Sequence, residues 1–409
     1  MNYVVVGASA AGINGAKTLR QLDPQATITL ISKDEHIYSR CILHHYLEGI
    51  RDIKALEFVE DGFIEKNQIN WMKGVSLETI RPNLNELILS DGSVISYDKV
   101  LLATGASTFF PPVKNIADAK NVFGLRNLED AKWIKESAKN AKNIVVMGAG
   151  LVGIDALEGL LHYGKNLTLV EFQSHMLSLQ LDKQAAKTYQ DAFSQQGVTQ
   201  YYDTAVQEVL MDRQGAVSTL VLSNGSMIPC DLLIVATGVR SNVKFLEGSD
   251  IECDPKGLLF NEYGETSHQH IYGAGDISGR NPIWPAAVKE GVIAASNMVG
   301  QKRELTDFFA SKSTMNFLNI ATLSVGTPEP ADETFQVETF NDDKGNYKKI
   351  IHKDGVIYGA IIQGDLAYAG ILTQLIKEGI HIAQVQKSIF EVDYSDFFHL
   401  TDHLQFEFS

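Results

Sequence analysis

A short apolar strand that runs into a glycine-rich turn and then a helix occurs twice in this 409-residue chain. No other feature limits the fold as much. The first copy reads Tyr3-Val4-Val5-Val6, then Gly7-Ala8-Ser9-Ala10-Ala11-Gly12, a helix to Leu22, a stop at Pro24 and a strand over 27–31. The second reads Asn143-Ile144-Val145-Val146-Met147, then Gly148-Ala149-Gly150-Leu151-Val152-Gly153, a helix over 154–162 and a strand over 167–170 ending in Glu171. Unbroken apolar runs of this length suit strands buried on both faces of a parallel sheet, and proline stops a helix. Each copy therefore reads as a βαβ unit. A second matched pair follows: residues 97–105 and 230–238 are buried strands running into Ala103-Thr104-Gly105 and Ala236-Thr237-Gly238. The chain holds two copies of one layout.

A glycine turn between strand and helix has a physical use. The helix N-terminus offers unpaired N–H groups and the positive end of its dipole, and the missing side chains let a pyrophosphate approach. The second copy has the whole pattern, because Glu171 stands at the strand end about 20 residues on, where an acid accepts from ribose hydroxyls. Phe172, Gln173 and Ser174 supply no cation for a 2′-phosphate, so this copy reads as an NAD site with Gly148, Gly150, Leu151, Val152, Gly153 and Glu171 as its contacts. The first copy departs twice. Ser9 replaces the middle glycine, and the strand end reads Ser32-Lys33-Asp34-Glu35 in place of a single acid. Backbone groups, Lys33 or a shifted acid could each hold a ribose there.

Later segments complete the reading. Residues 271–276 run Ile-Tyr-Gly-Ala-Gly-Asp, and a helix follows over 285–299. From residue 313 the texture changes to strands over 317–325, 335–340, 347–352 and 356–363 and a helix over 367–377, a small α+β domain. The expected domains are 1–107 with 240–312, 108–239, and 313–409. The fold class is α/β: two nested Rossmann-like dinucleotide-binding domains plus a small C-terminal α+β domain.

Composition removes several function classes. A net charge of −15 opposes nucleic-acid binding, which needs basic patches to neutralise phosphate. No apolar run approaches the roughly 20 residues of a membrane helix. The strand at the first residues leaves no room for a signal peptide, so the expectation is a cytoplasmic protein. Three widely spaced cysteines, Cys41, Cys230 and Cys253, exclude a disulfide framework and the usual zinc or iron–sulfur spacings. A redox centre would have to be an organic cofactor.

Over about residues 1–310 these motifs resemble the two-dinucleotide-domain flavoproteins of the pyridine nucleotide-disulfide oxidoreductase family. The resemblance implies FAD at the first copy and NADH at the second. It places Gly7, Ser9, Ala10, Ala11, Gly12, Ser32, Lys33, Arg40, Leu77, Ala103, Thr104, Gly105, Arg126, Asp276 and Ala287 around the FAD. Asp276 would bind the ribityl chain, and the helix after Trp284-Pro285 would aim its N-terminus at the pyrimidine edge. Thr104-Gly105 and Thr237-Gly238 correspond to crossings between the nested domains, and Asp155 stands where a glutamate usually lies near the nicotinamide. The tail, with Lys349-Ile350-Ile351-His352-Lys353-Asp354-Gly355, and the stretch Tyr38-Ser39-Arg40-Cys41 are similar to the NADH–rubredoxin reductase and nitrite-reductase flavin-module branch. That branch implies a small iron–sulfur or rubredoxin-type acceptor, with a homodimer as a further option.

Cys41 opens an alternative. Cys41-Ile42-Leu43-His44-His45-Tyr46 aligns without a gap to the reactive segment of CoA-disulfide and peroxide reductases. A helix N-terminus and Arg40 could lower its thiol pKa, and His44 or His45 could move protons. Ile42 and His44 stand where that segment has glycine and proline, which favours a packed thiol. Two other readings stand beside electron transfer to an iron protein: a Cys41-dependent disulfide or peroxide reductase or NADH oxidase, and an NADH-sensing interaction module without turnover.

Overall fold

The computed structural model describes residues 1–306, 312–383, 385–403 and 406–408. Two five-stranded parallel sheets form its centre. The first runs in the order Ile271–Gly273, Lys99–Leu102, Asn2–Val6, Thr27–Ser32, Ile69–Lys73. The second runs Val122–Gly124, Leu232–Val235, Asn143–Met147, Asn166–Val170, Thr199–Tyr201. The two orders match position for position. In each, the strand before the fingerprint is central and the strand before the Thr-Gly bend lies beside it, both buried as their apolar runs require.

Each copy also carries a three-stranded antiparallel meander that periodicity alone did not single out. One comprises Leu77–Arg81, Glu86–Leu89 and Val94–Ser96, the other Val206–Met211, Val217–Leu222 and Met227–Pro229. Their strands are short and half exposed, so their pattern is weak. The two copies are joined where Ala106–Thr108 pairs antiparallel with Val239–Ser241, just after the Thr-Gly bends. Thr104 Oγ1 donates to the Asn242 carbonyl at 2.9 Å, and Thr237 Oγ1 donates to the Phe109 carbonyl at 2.8 Å, which pins both crossings.

The tail forms a five-stranded antiparallel sheet, Lys312–Phe317, Ile320–Gly326, Val356–Gln363, Tyr347–Lys353, Gln336–Asn341, with the helix Ala369–Glu378 against it. The single strand expected over 317–325 is a hairpin instead. Leu318 and Asn319 both take positive φ, 51° and 62°, and turn the chain between two strands. Asparagine tolerates that conformation but leucine rarely does, so the sequence carried no turn signal there. The stretch 307–311, where the sequence reading ends the FAD-binding domain, lies outside the described residues. Among the described residues no helix is long and apolar enough to cross a membrane.

Candidate functional site

A cavity of about 1010 Å³ opens at the C-terminal ends of the first sheet, where a doubly wound sheet places its ligand. The fingerprint forms its floor. A Cβ at Gly7 would lie 2.1 Å from the Ala103 carbonyl oxygen, and one at Gly12 would lie 1.8 Å from the Gly7 carbonyl oxygen. Only glycine fits either place, and Gly12 serves helix-to-strand packing without reaching the cavity wall. Ser9 is the N-cap of Ala10–Leu22 yet makes no side-chain cap bond, and the first turn holds no acid. The helix thus presents its N–H groups and dipole to the cavity unopposed, as an anionic pyrophosphate requires.

The walls hold most of the expected residues. Lys33, Arg40, Cys41, Leu77, Ala103, Thr104, Gly105, Arg126, Asp276 and Ala287 all line it. Arg126 pairs with Asp276, and its Nε donates to the Ala106 carbonyl at 3.0 Å. The side chain thereby joins the second sheet's approach to the flavin-type motif. Trp284 begins the helix Trp284–Met298 and stacks edge-on against Phe58 at 4.8 Å, so that helix also ends at the cavity. A cavity of this size, a free helix N-terminus at its floor and an Arg–Asp pair in its wall fit FAD.

At the first strand end two of the candidate side chains are already engaged. The Ser32 hydroxyl donates to the Asp34 carbonyl at 2.6 Å and accepts from Trp71 Nε1 at 2.9 Å, so it is fully engaged. The Asp34 carboxylate is held by Arg40 and Tyr38. Glu35 lines the cavity, its Oε1 lying beside Gly74 on the opposite lip. Sequence spacing could not separate these acids, because the partner that occupies Ser32 is Trp71, far along the chain.

Glu290 was missed altogether. It is buried in the helix Trp284–Met298, and its Oε2 accepts from the Gly275 N–H at 2.7 Å. Burial and the nearby Asp276 charge push its carboxyl up to about 7. The only signal was an acid at an inward helical position.

Cys41 lies in the turn Arg40–Ile42, at the cavity wall but exposed. The expected activation is absent. Arg40 is turned away, bonded to Asp34, the Tyr38 hydroxyl and the Arg126 carbonyl. Partial desolvation of the sulfur and then the Asp155 charge push the thiol up, against a smaller opposing pull from Arg126. The helix that follows, Leu43–Glu48, starts two residues later, has only six residues and takes Ile42 as its cap. Behind it, His44 Nδ1 sits 3.4 Å from Asp155 Oδ1 without hydrogen-bond geometry and is otherwise buried without a partner. Burial drives the two in opposite directions, Asp155 up to about 8 and His44 down to about 4. At neutral pH the pair is Asp–COOH beside a neutral imidazole. Cys230 is buried, and Cys253 is exposed away from the cavity.

The second fingerprint repeats the geometry in the open. A Cβ at Gly148 would lie 2.5 Å from the Ala236 carbonyl oxygen, and one at Gly153 would lie 1.9 Å from that of Gly148. At Gly150, the N-cap of Leu151–Leu160, a Cβ would meet nothing, which leaves room for a close-approaching backbone ligand. The Glu171 carboxylate accepts from the Ala149 N–H at 2.5 Å and from the Gln173 N–H at 2.7 Å. It is fixed at the mouth of the turn. Val152 and Phe172 stand exposed beside it.

Two matching parallel sheets, an enclosed site on one and an open site on the other, define a two-dinucleotide oxidoreductase. The chain belongs to the pyridine nucleotide-disulphide oxidoreductase family, whose model matches residues 1–291, and residues 312–380 match the rubredoxin NAD+ reductase C-terminal domain. It is an NADH-dependent oxidoreductase that uses FAD. Among relatives, the NADH-dependent phenylglyoxylate dehydrogenase subunit epsilon of Aromatoleum evansii is 30% identical, with 91% of each chain covered. The nitrite reductase [NAD(P)H] of Bacillus subtilis is 26% identical over 94% of this chain, which spans only 48% of that longer protein. An NAD-dependent persulfide reductase from A. fulgidus shares the fold with a TM-score of 0.84 and 23% identity, covering 93% of this chain and 77% of its own.

Proposed function

We propose that the chain takes electrons from NADH at the second fingerprint and passes them through FAD, singly, to a small iron–sulfur or rubredoxin-type protein. The observation that carries this reading is the state of Cys41. A disulfide or peroxide reductase needs a thiolate at that wall, and here desolvation keeps the thiol protonated while Arg40 is engaged elsewhere. The likeness of residues 312–380 to a rubredoxin reductase domain supports the same acceptor class, as does a relative that is a subunit of a larger NADH-dependent enzyme.

FAD, when bound, supplies the exchange between a two-electron donor and one-electron acceptors. The chain's own residues hold and orient. The fingerprint and Ala10–Leu22 helix receive the pyrophosphate, Lys33, Glu35 and Leu77 flank the adenosine end, and Thr104, Gly105, Arg126, Asp276 and Ala287 border the other end. Gly148, Gly150, Leu151, Val152, Gly153 and Glu171 hold NADH, with the neutral Asp155 and the Thr237-Gly238 bend toward its nicotinamide. The proposed FAD domain comprises 1–107 and 240–312, the NAD domain 108–239, and the tail 313–409. A cytoplasmic location suits such a carrier partner.

The test is NADH oxidation by the holoenzyme with rubredoxin, a 2Fe–2S ferredoxin, CoA disulfide and hydrogen peroxide, in wild type and Cys41→Ser. Reduction of an iron protein that survives in Cys41→Ser is the expected outcome. Preferential use of CoA disulfide or peroxide, lost in the variant, would overturn it. So would a thiolate charge-transfer absorbance in the NADH-reduced wild type.

A further inference from the structure

The contacts between the tail and the second sheet differ from ordinary domain packing. Asp182, Ser324, Lys349 and Gln363 are all nearly inaccessible, at 6%, 4%, 4% and 1% exposure. Burying charged groups at a merely adhesive interface is unfavourable compared with apolar side chains of the same size. Buried polar contacts instead fix position, because each demands one geometry.

These contacts meet the C-terminal end of one loop and the start of the helix after it. Residues 172–181 lead from Glu171 to the helix Lys183–Gln195. Asp182 caps that helix, with Oδ1 accepting from the Ala185 N–H at 2.9 Å. Its Oδ2 accepts from the Tyr347 hydroxyl at 2.6 Å and lies 3.2 Å from Lys349 Nζ. Lys349 also reaches Glu329 at 2.8 Å and the Pro328 carbonyl at 2.9 Å. The Ser324 hydroxyl donates to the Gln180 carbonyl, and Gln363 Nε2 donates to that of Ala185 at 3.2 Å. Inside the loop, Leu177 holds a left-handed φ of 54° and donates its N–H to the Ala149 carbonyl at 2.8 Å. Ala149 in turn donates its own N–H to Glu171. From Asp182 the path follows the backbone: the Leu181 and Gln180 N–H groups both donate to the Leu177 carbonyl at 2.8 Å, which leads on to the fingerprint turn.

We infer that the tail is a working part of the NADH site, with Lys349 and Ser324 as positioning residues that set the loop 172–181 and, through it, Glu171. The left-handed Leu177 is unfavourable for a branched residue and persists because both loop ends are tied. The ligand part that depends on this arrangement is the adenosine half of NADH, since Glu171 and the exposed Phe172 stand where its ribose and base would lie. This rests on the assignment of NADH to the second fingerprint.

The experiment compares KM for NADH with KM for reduced nicotinamide mononucleotide, which lacks the adenosine half, using the holoenzyme and ferricyanide as acceptor. In Lys349→Met the NADH preference over the mononucleotide should fall about tenfold, the size of a lost charge-assisted contact, with the effect on KM and not kcat. Lys349→Arg should restore it, and Ser324→Ala should show a smaller fall even if Lys349→Met folds poorly. Equal losses for both donors, or loss of flavin without a change in preference, would overturn the inference. Glu171→Ala in the same assay separates the two levels. If it leaves the preference unchanged, the NADH assignment itself fails. If it lowers the preference while the Lys349 and Ser324 variants do not, only the role of the tail fails.

Discussion

The two βαβ copies share strand order, turn and helix, yet the first turn lines a cavity and the second stands uncovered at Gly150. The difference lies in what covers the turn. Over the first copy, the helix Trp284–Met298 packs so closely that a Cβ at Gly291 would lie 2.2 Å from the Ala11 carbonyl oxygen. The Arg126–Asp276 pair then closes one end. Over the second, no atom of the described residues lies within 4 Å of a Cβ built at Gly150, and Phe172 and Leu179 remain 72% and 83% exposed. A resident cofactor needs burial, and a co-substrate that must leave in each turnover needs an open lip. The same unit can serve both because the pyrophosphate contact is made by backbone, not by the neighbours.

The comparison breaks most sharply at the shared glycine. Gly12→Val should abolish flavin retention, since its Cβ would overlap the Gly7 carbonyl oxygen at 1.8 Å and force strand and helix apart. Flavin absorbance per protein, read after gel filtration, should drop to near zero. A variant that keeps its full yellow colour would mean the first copy does not hold the FAD.

The second effect in size belongs to the open copy. Glu171→Ala removes an acceptor held by two backbone N–H bonds at 2.5 and 2.7 Å. A hydrogen bond to a charged group contributes about 1.5–3 kcal/mol, so KM for NADH should rise at least tenfold with flavin content intact. Steady-state kinetics at fixed acceptor measures it. Unchanged KM would mean that the ribose is held elsewhere.

Much of this contrast was legible in the sequence because it is local. The fingerprints, the Ala-Thr-Gly bends and Glu171 each sit within a short window of the strand that positions them. Ser32 shows where locality ends: its hydroxyl is occupied by Trp71, on a strand paired beside it but distant in sequence. The same holds for Glu290, whose partner Gly275 lies on another element, and for Leu318, whose positive φ comes from strand pairing and not from its own preference. Arg40 misled for a related reason. Beside Cys41 in the sequence it looked like an activating cation, yet its guanidinium points to Asp34 and Tyr38.

A smaller effect tests the displaced acid of the enclosed copy. With Ser32 and Asp34 engaged, Glu35 is the carboxylate of that strand end that faces the cavity with no bond of its own. Glu35→Gln should weaken FAD retention by about fivefold, below the cost of losing a buried charged contact because the group is exposed. Fluorescence of released flavin on dilution reads the change. FMN, which lacks the adenosine, should be held equally by both proteins. A matching loss for FMN would place Glu35 away from the adenosine end.

The smallest expected effect concerns protons at the seam between the copies. Asp155 and Glu290 titrate near 8 and 7 in the fold, both because burial disfavours the charged carboxylate, and both ionise near 4 when unfolded. Between those limits the folded chain holds more protons than the unfolded one, so these groups make stability fall as pH rises. His44 acts oppositely. Held near 4 by burial, it makes stability rise with pH, but only up to its unfolded value of about 6.5. Above 6.5 the acids act unopposed by His44. The melting temperature should therefore decline between pH 6.5 and 8 through these groups, each contributing at most about 1.4 kcal/mol per pH unit. Asp155→Asn cannot ionise, so its decline should be shallower and level off near pH 8, about one unit above the Glu290 midpoint. Melting curves of the holoenzyme across that range decide it. Equal slopes in the two proteins would show that Asp155 is already ionised at neutral pH, and that the nicotinamide side of the site carries a negative charge.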